Sequence, residues 1–280
     1  MRMPRGRPAI QELSFGGQPT SIIVTCEHGG NRVPPGLRAL FEPYTSLLVS
    51  HRDYDPGALI LARQLAGGLG APLLHSTVTC LLVDLNRSQD NPTVFSEVTS
   101  RLSAEERAAL IQKWHKPYRS AVRNAVSDRC SSGGRVLHFS SHSFTPMPDG
   151  LALKADVGLL FDPARTAEAA ICGWWQQAIH AASALVVRNN YPQSGADDSL
   201  TATLRCRFPA RRYAGIELQI NQTIVSGNAK YWKAVRRTLM ETLREVLAAH
   251  VNVGESEPAP QLTSGIIPAG LPGGKQHGPQ

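Results

Sequence analysis

Apolar residues follow two rhythms along the chain. The first is the short continuous run, seen at Ile22-Ile23-Val24-Thr25 and at Leu81-Leu82-Val83, which is the pattern of strands buried on both faces. Strands are expected over 71–75, 80–85, 135–141, 157–161, 185–187 and 214–220 as well. The second rhythm is helical. It governs 59–69, just after Asp55-Pro56, an N-cap residue with proline at the first helical position. Ser103-Ala104-Glu105-Glu106 has the form of a capping box and starts a helix running towards Val126. Asp162-Pro163 repeats the helix-start signal ahead of a helix through Trp174 and Trp175 to about Ala182, and a last helix spans 228 to about 247. Strands alternating with helices predict an α/β fold, a single three-layer domain with a mixed, mostly parallel sheet flanked by helices. Residues 1–19 and 251–280 lack any apolar period, the latter being rich in Pro and Gly, so both are expected to be flexible around a domain over 20–250.

Composition narrows the class. The longest apolar pieces, such as Ala58-Leu59-Ile60-Leu61-Ala62, are far short of the roughly 18 residues a membrane helix needs, so no membrane partner is expected. The basic N-terminus leads into Gln11, Glu12 and Ser14 without an apolar stretch, and cytoplasm is the default expectation. Five widely spaced cysteines without a CxxC pair fit a reduced compartment better than a disulfide framework. The net charge of +7 is scattered along the chain, which argues against nucleic acid and is compatible with drawing in a small anionic substrate. Oligomeric state is not legible from the sequence.

In α/β sheets ligands gather beyond the carboxyl ends of the strands, and polar residues without a structural role are sought there. The first strand runs out into Thr25-Cys26-Glu27-His28-Gly29-Gly30-Asn31-Arg32, where the glycines allow close approach of the backbone. Around the third strand, His138 and His142 share one face by the two-residue period, but only His142 reaches the end; His138 reads as a hydrogen-bonded core residue. Asp53 and Asp55 precede a helix, where Asp55 has an obvious capping role. Glu217 is a carboxylate among apolar strand residues, an expensive position unless it is paired or catalytic, and is the general-base candidate. Two histidines, a carboxylate and an open position are the makings of a catalytic zinc site. A thiol hydrolase using Cys26 beside His28 is an alternative, whereas Ser143 lacks a GxSxG elbow.

Taken in order, Cys26-Glu27-His28 to Val33-Pro34, 51–58, Asp84-Leu85-Asn86-Arg87, Ser141-His142-Ser143-Phe144-Thr145-Pro146 and Glu217 resemble the N-formylglutamate amidohydrolase family. That family is similar to zinc carboxypeptidases and N-acetylmuramoyl-L-alanine amidases, and the resemblance implies a zinc-exopeptidase-like fold. It also implies a zinc ion, or another divalent metal, held by His28, Asp55 and His142, with Glu27 and Asp53 as alternatives for the acidic ligand. Glu217 is then the group that assists water, and Asn86 and Arg87 grip the substrate carboxylate, with Asn31 and Arg32 as further substrate contacts. The implied reaction is hydrolysis of the N-acyl bond of a small acylated amino acid, giving formate and glutamate from N-formylglutamate. A zinc amidase on peptidoglycan-like or other N-acyl amino acids, and a non-catalytic relative binding a small anion, are the competing readings. Around Glu217 the chain departs from the family pattern, with Glu-Leu-Gln-Ile-Asn-Gln where Glu-Ile-Arg and a nearby acid are expected.

Overall fold

The continuous apolar runs become strands because each buries both of its faces. β1 (Thr20–Cys26), β3 (Arg135–Phe144) and β6 (Tyr213–Asn221) are buried along almost their whole length and form the centre of a six-stranded sheet. β2 (Leu73–His75), β4 (Val157–Leu160) and β5 (Val187–Asn189) complete it in the order β2-β1-β3-β6-β4-β5. The first four strands in that order are parallel; β4 runs antiparallel to β6 and carries β5 parallel to itself. The sheet is therefore mixed and mostly parallel, flanked by helices, as the alternation of elements predicts. This computed structural model describes residues 20–49, 54–146, 153–251 and 253, so both expected tails lie almost wholly outside the described residues.

The helices are α1 (Arg38–Phe41), α2 (Ala58–Leu69), α3 (Ala104–Leu110), α4 (Lys116–Ser131), α5 (Thr166–Ala182), α6 (Leu200–Arg207), α7 (Gln222–Ser226) and α8 (Ala229–His250). On one face of the sheet Val24, Phe139 and Leu218 pack with Leu61 of α2, Trp175 of α5 and Leu239 of α8 in one apolar core. On the other face Ile23, Val136 and Tyr213 meet Val122 and Val126 of α4 and Leu200 and Leu204 of α6. Towards the carboxyl ends of the strands this second face turns polar. The two-residue period aligns Glu27 with Ser140 and His142 of β3 and with Glu217 and Gln219 of β6, which is where the chemistry collects.

Several local expectations change. The capping box at Ser103 and Glu106 is present, but the helix runs past Val126 to Ser131 and passes through one π-helical turn, Ile111–His115. Residues 80–85 form turns rather than a strand: Leu81 N–H bonds Thr79 Oγ1, Leu82 N–H bonds the Thr79 carbonyl and Asp84 N–H bonds the Val94 carbonyl, leaving little of the ladder a sheet neighbour needs. Leu81, Leu82 and Val83 are buried by packing alone. Asp55 does not cap α2. The cap is Gly57, at φ 81°, where a Cβ would lie 2.7 Å from Val225, so the turn requires glycine and Asp55 is freed for another partner. Asp162 likewise makes a turn, accepting from Ala164 N–H, before α5 starts at Thr166. No helix among the described residues is long and apolar enough to cross a membrane, and none of the five cysteines is in a disulfide.

Candidate active site

Four segments meet where β1 and β3 end. β1 runs out into Glu27 and His28, and β3 presents His142. The segment before α2 is tied alongside by Asp55 N–H bonding the His28 carbonyl at 2.9 Å. The turn after Val83 supplies Asp84. Asp55 Oδ2 lies 2.7 Å from His142 Nδ1 and 3.6 Å from His28 Nδ1. The opposite nitrogen of each ring meets a second carboxylate: His28 Nε2 is 2.7 Å from Asp84 Oδ1, and His142 Nε2 is 3.1 Å from Glu27 Oε2. Glu27, 0% exposed, also accepts from Ser140 Oγ at 2.6 Å and Tyr118 OH at 2.9 Å, while Asp84 accepts from Asn86 N–H. A carboxylate can only accept, so Asp84 and Glu27 fix the Nε2 proton of each imidazole and aim both Nδ1 atoms at Asp55.

These side chains could hold a metal ion. One atom from each of His28, Asp55 and His142 lies within 4.8 Å of the others. A tetrahedral ion with bonds of roughly 2.0–2.2 Å spaces its ligand atoms about 3.3 Å apart, a distance the observed 2.7 and 3.6 Å bracket. Carboxylates on the distal nitrogens of ligating histidines are the usual second layer of such sites. Charge agrees. Burial alone raises the pKa of Asp55, Glu27 and Asp84, but the two histidines outweigh it and hold all three well ionised. Three carboxylates around two imidazoles make an excess of negative charge for a divalent cation.

Without a cation a proton fills that role. Burial would lower the His142 pKa, but hydrogen bonds to Asp55 and Glu27 raise it to about 10, and Asp84 with Asp55 raises that of His28 in the same way. The stability this gives the metal-free protein is complete below the unfolded histidine pKa of roughly 6.5 and is lost as pH rises through about 10. A metal ion bound there would displace that proton. Zinc affinity should therefore climb by about tenfold or more per pH unit between pH 6 and 8, read by competition titration; a flat profile would show that no proton is exchanged.

The same residues border a cleft of about 440 Å³, within the range of small-ligand sites. Asn86 and Arg87 line it. Asn86 Oδ1 accepts from Leu200 N–H, and Arg87 donates to the Asp198 carbonyl, which leaves part of each side chain for a ligand. Asn31 and Arg32 are not among the residues that line it. Asn31 donates to the Leu48 carbonyl, and a backbone bridge between Arg32 and Val78 carries Arg32 to a separate cavity beside Trp114 and Tyr118. Glu217 shares the His142 face of the sheet but sits one row beneath the cleft floor, which Gln219 lines instead. Glu217 is 4% exposed and accepts from Thr201 Oγ1 at 2.6 Å. Asp53, an alternative for the acidic ligand, lies outside the described residues, as do His51 and Arg52.

His138 is the core residue its position suggests, bridging Thr25 Oγ1 at 2.8 Å and Tyr213 OH at 2.7 Å, with burial depressing its pKa to about 4. Cys26 faces the apolar core, and burial, then the charges of Glu27 and Asp55, push its thiol well above the ordinary range. A thiolate there is disfavoured. Cys26→Ser should keep most of its kcat/KM in a steady-state assay, whereas a collapse in a protein with unchanged melting would mark a thiol nucleophile. Asp84 and Ser140 were missed as site residues. Asp84 opens the Asp-Leu-Asn-Arg motif, and Ser140 lies midway between His138 and His142 on the same strand face, so both signals were in the sequence.

A polar cleft beyond the carboxyl edge of a mixed α/β sheet, with histidines and carboxylates converging on one point, belongs to a hydrolase acting on amide bonds. The chain belongs to the N-formylglutamate amidohydrolase family, whose model matches residues 20–226 and so spans His28, Asp55, Asp84, His142 and Glu217. Two solved structures share the fold. One is a gene product of Agrobacterium tumefaciens, 24% identical, with a TM-score of 0.70 over 84% of this chain and 93% of that one. The other is an N-formylglutamate amidohydrolase from Ralstonia eutropha JMP134, 19% identical, with a TM-score of 0.62 over 83% of this chain and 95% of that one. No curated protein sequence matches the chain.

Proposed function

We propose that the protein is a divalent-metal enzyme, zinc being the expected ion, that hydrolyses the N-acyl amide bond of a small acylated amino acid of the N-formylglutamate type. The observation that carries this reading is the pair of histidines whose Nε2 atoms rest on Asp84 and Glu27 while their Nδ1 atoms turn to Asp55. His28, Asp55 and His142 hold the metal, which when bound polarises the acyl carbonyl and acidifies the attacking water.

The chain's own groups do the rest. Arg87, whose fork is only partly used by Asp198, pairs with the α-carboxylate of the substrate, and the Asn86 amide lies beside it. This fixes the acyl group over the histidine pair and reduces the entropy cost of attack. Glu217, on the same sheet face as His142, takes a proton from the attacking water and returns it to the leaving nitrogen. The Thr201 hydroxyl keeps the carboxylate oriented from the other side. Water is consumed across the C–N bond, and the acyl group leaves as its carboxylate; from a formyl substrate the products are formate and the free amino acid.

Two readouts test the proposal together. Dialysis against a chelator should abolish hydrolysis of N-formyl amino acids, and zinc should restore it with one ion per chain by elemental analysis. Full activity in metal-free protein would overturn it.

A further inference from the structure

Among the described residues, Phe144, Thr145, Leu153, Pro192, Gln193, Gln219 and Gln222 give the cleft an uncharged stretch of wall where a substrate side chain would lie. Among the described lining residues Arg87 is the one lysine or arginine, and it is committed to the α-carboxylate in the reading above. The floor is made of amides. Gln219 has no hydrogen bond from its side chain among the described residues, although it is only 8% exposed. Gln222 is hydrogen-bonded to Ser143 Oγ through one end of its amide at 3.2 Å, and the other end has no hydrogen bond to a described residue. Phe144 and Leu153 add apolar surface.

A nearly buried amide without a partner wants both a donor and an acceptor. A primary carboxamide supplies both, its oxygen accepting from an amide N–H of this floor and its NH₂ donating to an amide oxygen. A second carboxylate fits badly. It can only accept, so it leaves the acceptor end of the amide floor unmet, and among the described lining residues no cation beyond Arg87 answers its charge. An aliphatic side chain leaves both glutamines unpaired.

We propose that the preferred substrate is a singly charged N-acyl amino acid with a neutral carboxamide side chain, of the N-acylglutamine or N-acylasparagine class, rather than an N-acyl dicarboxylate. This rests on the reading of the cleft as the site of an N-acyl amino acid. The recognition is by Gln219 and Gln222 for the side chain and by Arg87 for the α-carboxylate.

The test compares kcat/KM of the zinc-loaded protein for N-formylglutamine, N-formylglutamate and N-formylleucine. N-formylglutamine should be preferred over N-formylglutamate by about a hundredfold or more, the scale on which an uncompensated charge is rejected. Equal use or preference for the glutamate compound overturns the proposal. Gln219→Leu, with zinc content checked, should erase the advantage of the glutamine over the leucine compound; an unchanged ratio also overturns it. Calorimetric titration of the same three compounds into zinc-loaded Glu217→Gln separates this proposal from the hydrolase reading, because it ranks side chains without turnover. Tightest binding of N-formylglutamine without hydrolysis by the unaltered protein supports the side-chain assignment and removes the hydrolase, whereas tightest binding of the glutamate compound, or none of any, removes the assignment.

Discussion

Asp55→Asn is expected to strip the protein of its metal and to lower kcat/KM by about a thousandfold or more, roughly 4 kcal/mol of transition-state stabilisation. Asp55 is the point on which both Nδ1 atoms converge, at 2.7 and 3.6 Å, and asparagine keeps its shape while removing the charge and half the acceptor capacity. The contrast that gives the experiment its meaning is Asp84→Asn. Asp84 holds His28 from the far side, at Nε2, so its loss should cost only about 10–100-fold in metal affinity, the usual scale for a supporting partner of a ligating histidine. Zinc affinity by competition with a chromophoric chelator reads both variants. Asp55→Asn that binds zinc like the unaltered protein would remove Asp55 from the ligand set and send the search to the segment around Asp53.

Most of the fold was legible because its strands are long, apolar and buried on both faces. β3 and β6 announce themselves by composition, and their pairing over Val136–Tyr213 to Phe144–Asn221 then fixes which residues share a face. The reading of β3 extends to function: a two-residue period places His138, Ser140 and His142 in one row, and the end of the strand decides which one meets solvent. Where the reading failed, a long-range bond had displaced a local signal. Asp55-Pro56 is a sound helix start, yet Asp55 is worth more to His142 than to α2, and Gly57 takes over the cap. Residues 80–85 are as apolar as a strand but spend their backbone groups on Thr79 and Val94. Asn31 and Arg32 stood next to His28 in sequence, and a single bridge to Val78 was enough to carry Arg32 to another cavity. Proximity along the chain is weak information at the end of a strand, where the backbone turns.

The polar face of the sheet also shows how the fold tolerates its own chemistry. Glu27 is fully buried and would cost several kcal/mol unpaired, but it receives hydrogen bonds from Tyr118 and Ser140 and lies against His142. Glu168, buried under α6, is answered by Arg205 and by the Gly215 N–H. Glu27 and Glu168 are thus each met by donors from other elements, and these bonds tie α4 to the end of β1 and α5 to α6 and β6.

Glu217→Gln carries the other large effect, an expected loss of about 10²–10⁴-fold in kcat with zinc content unchanged. The substitution keeps the oxygen that accepts from Thr201 Oγ1, so the side chain should hold its place in the row beneath Gln219 while losing the ability to take a proton. A residue that only braced β6 would lower the melting temperature and leave kcat alone. A proton carrier must do more: its removal should lower kcat in a protein that melts normally and keeps its zinc. Near-normal turnover would exclude Glu217. The base would then be sought at Asp84, which lines the cleft and has the second oxygen of its carboxylate turned towards Arg87 at 3.9 Å. The depth of Glu217 makes this outcome decisive, since at 4% exposure it does not border the cleft, whereas Asp84 does.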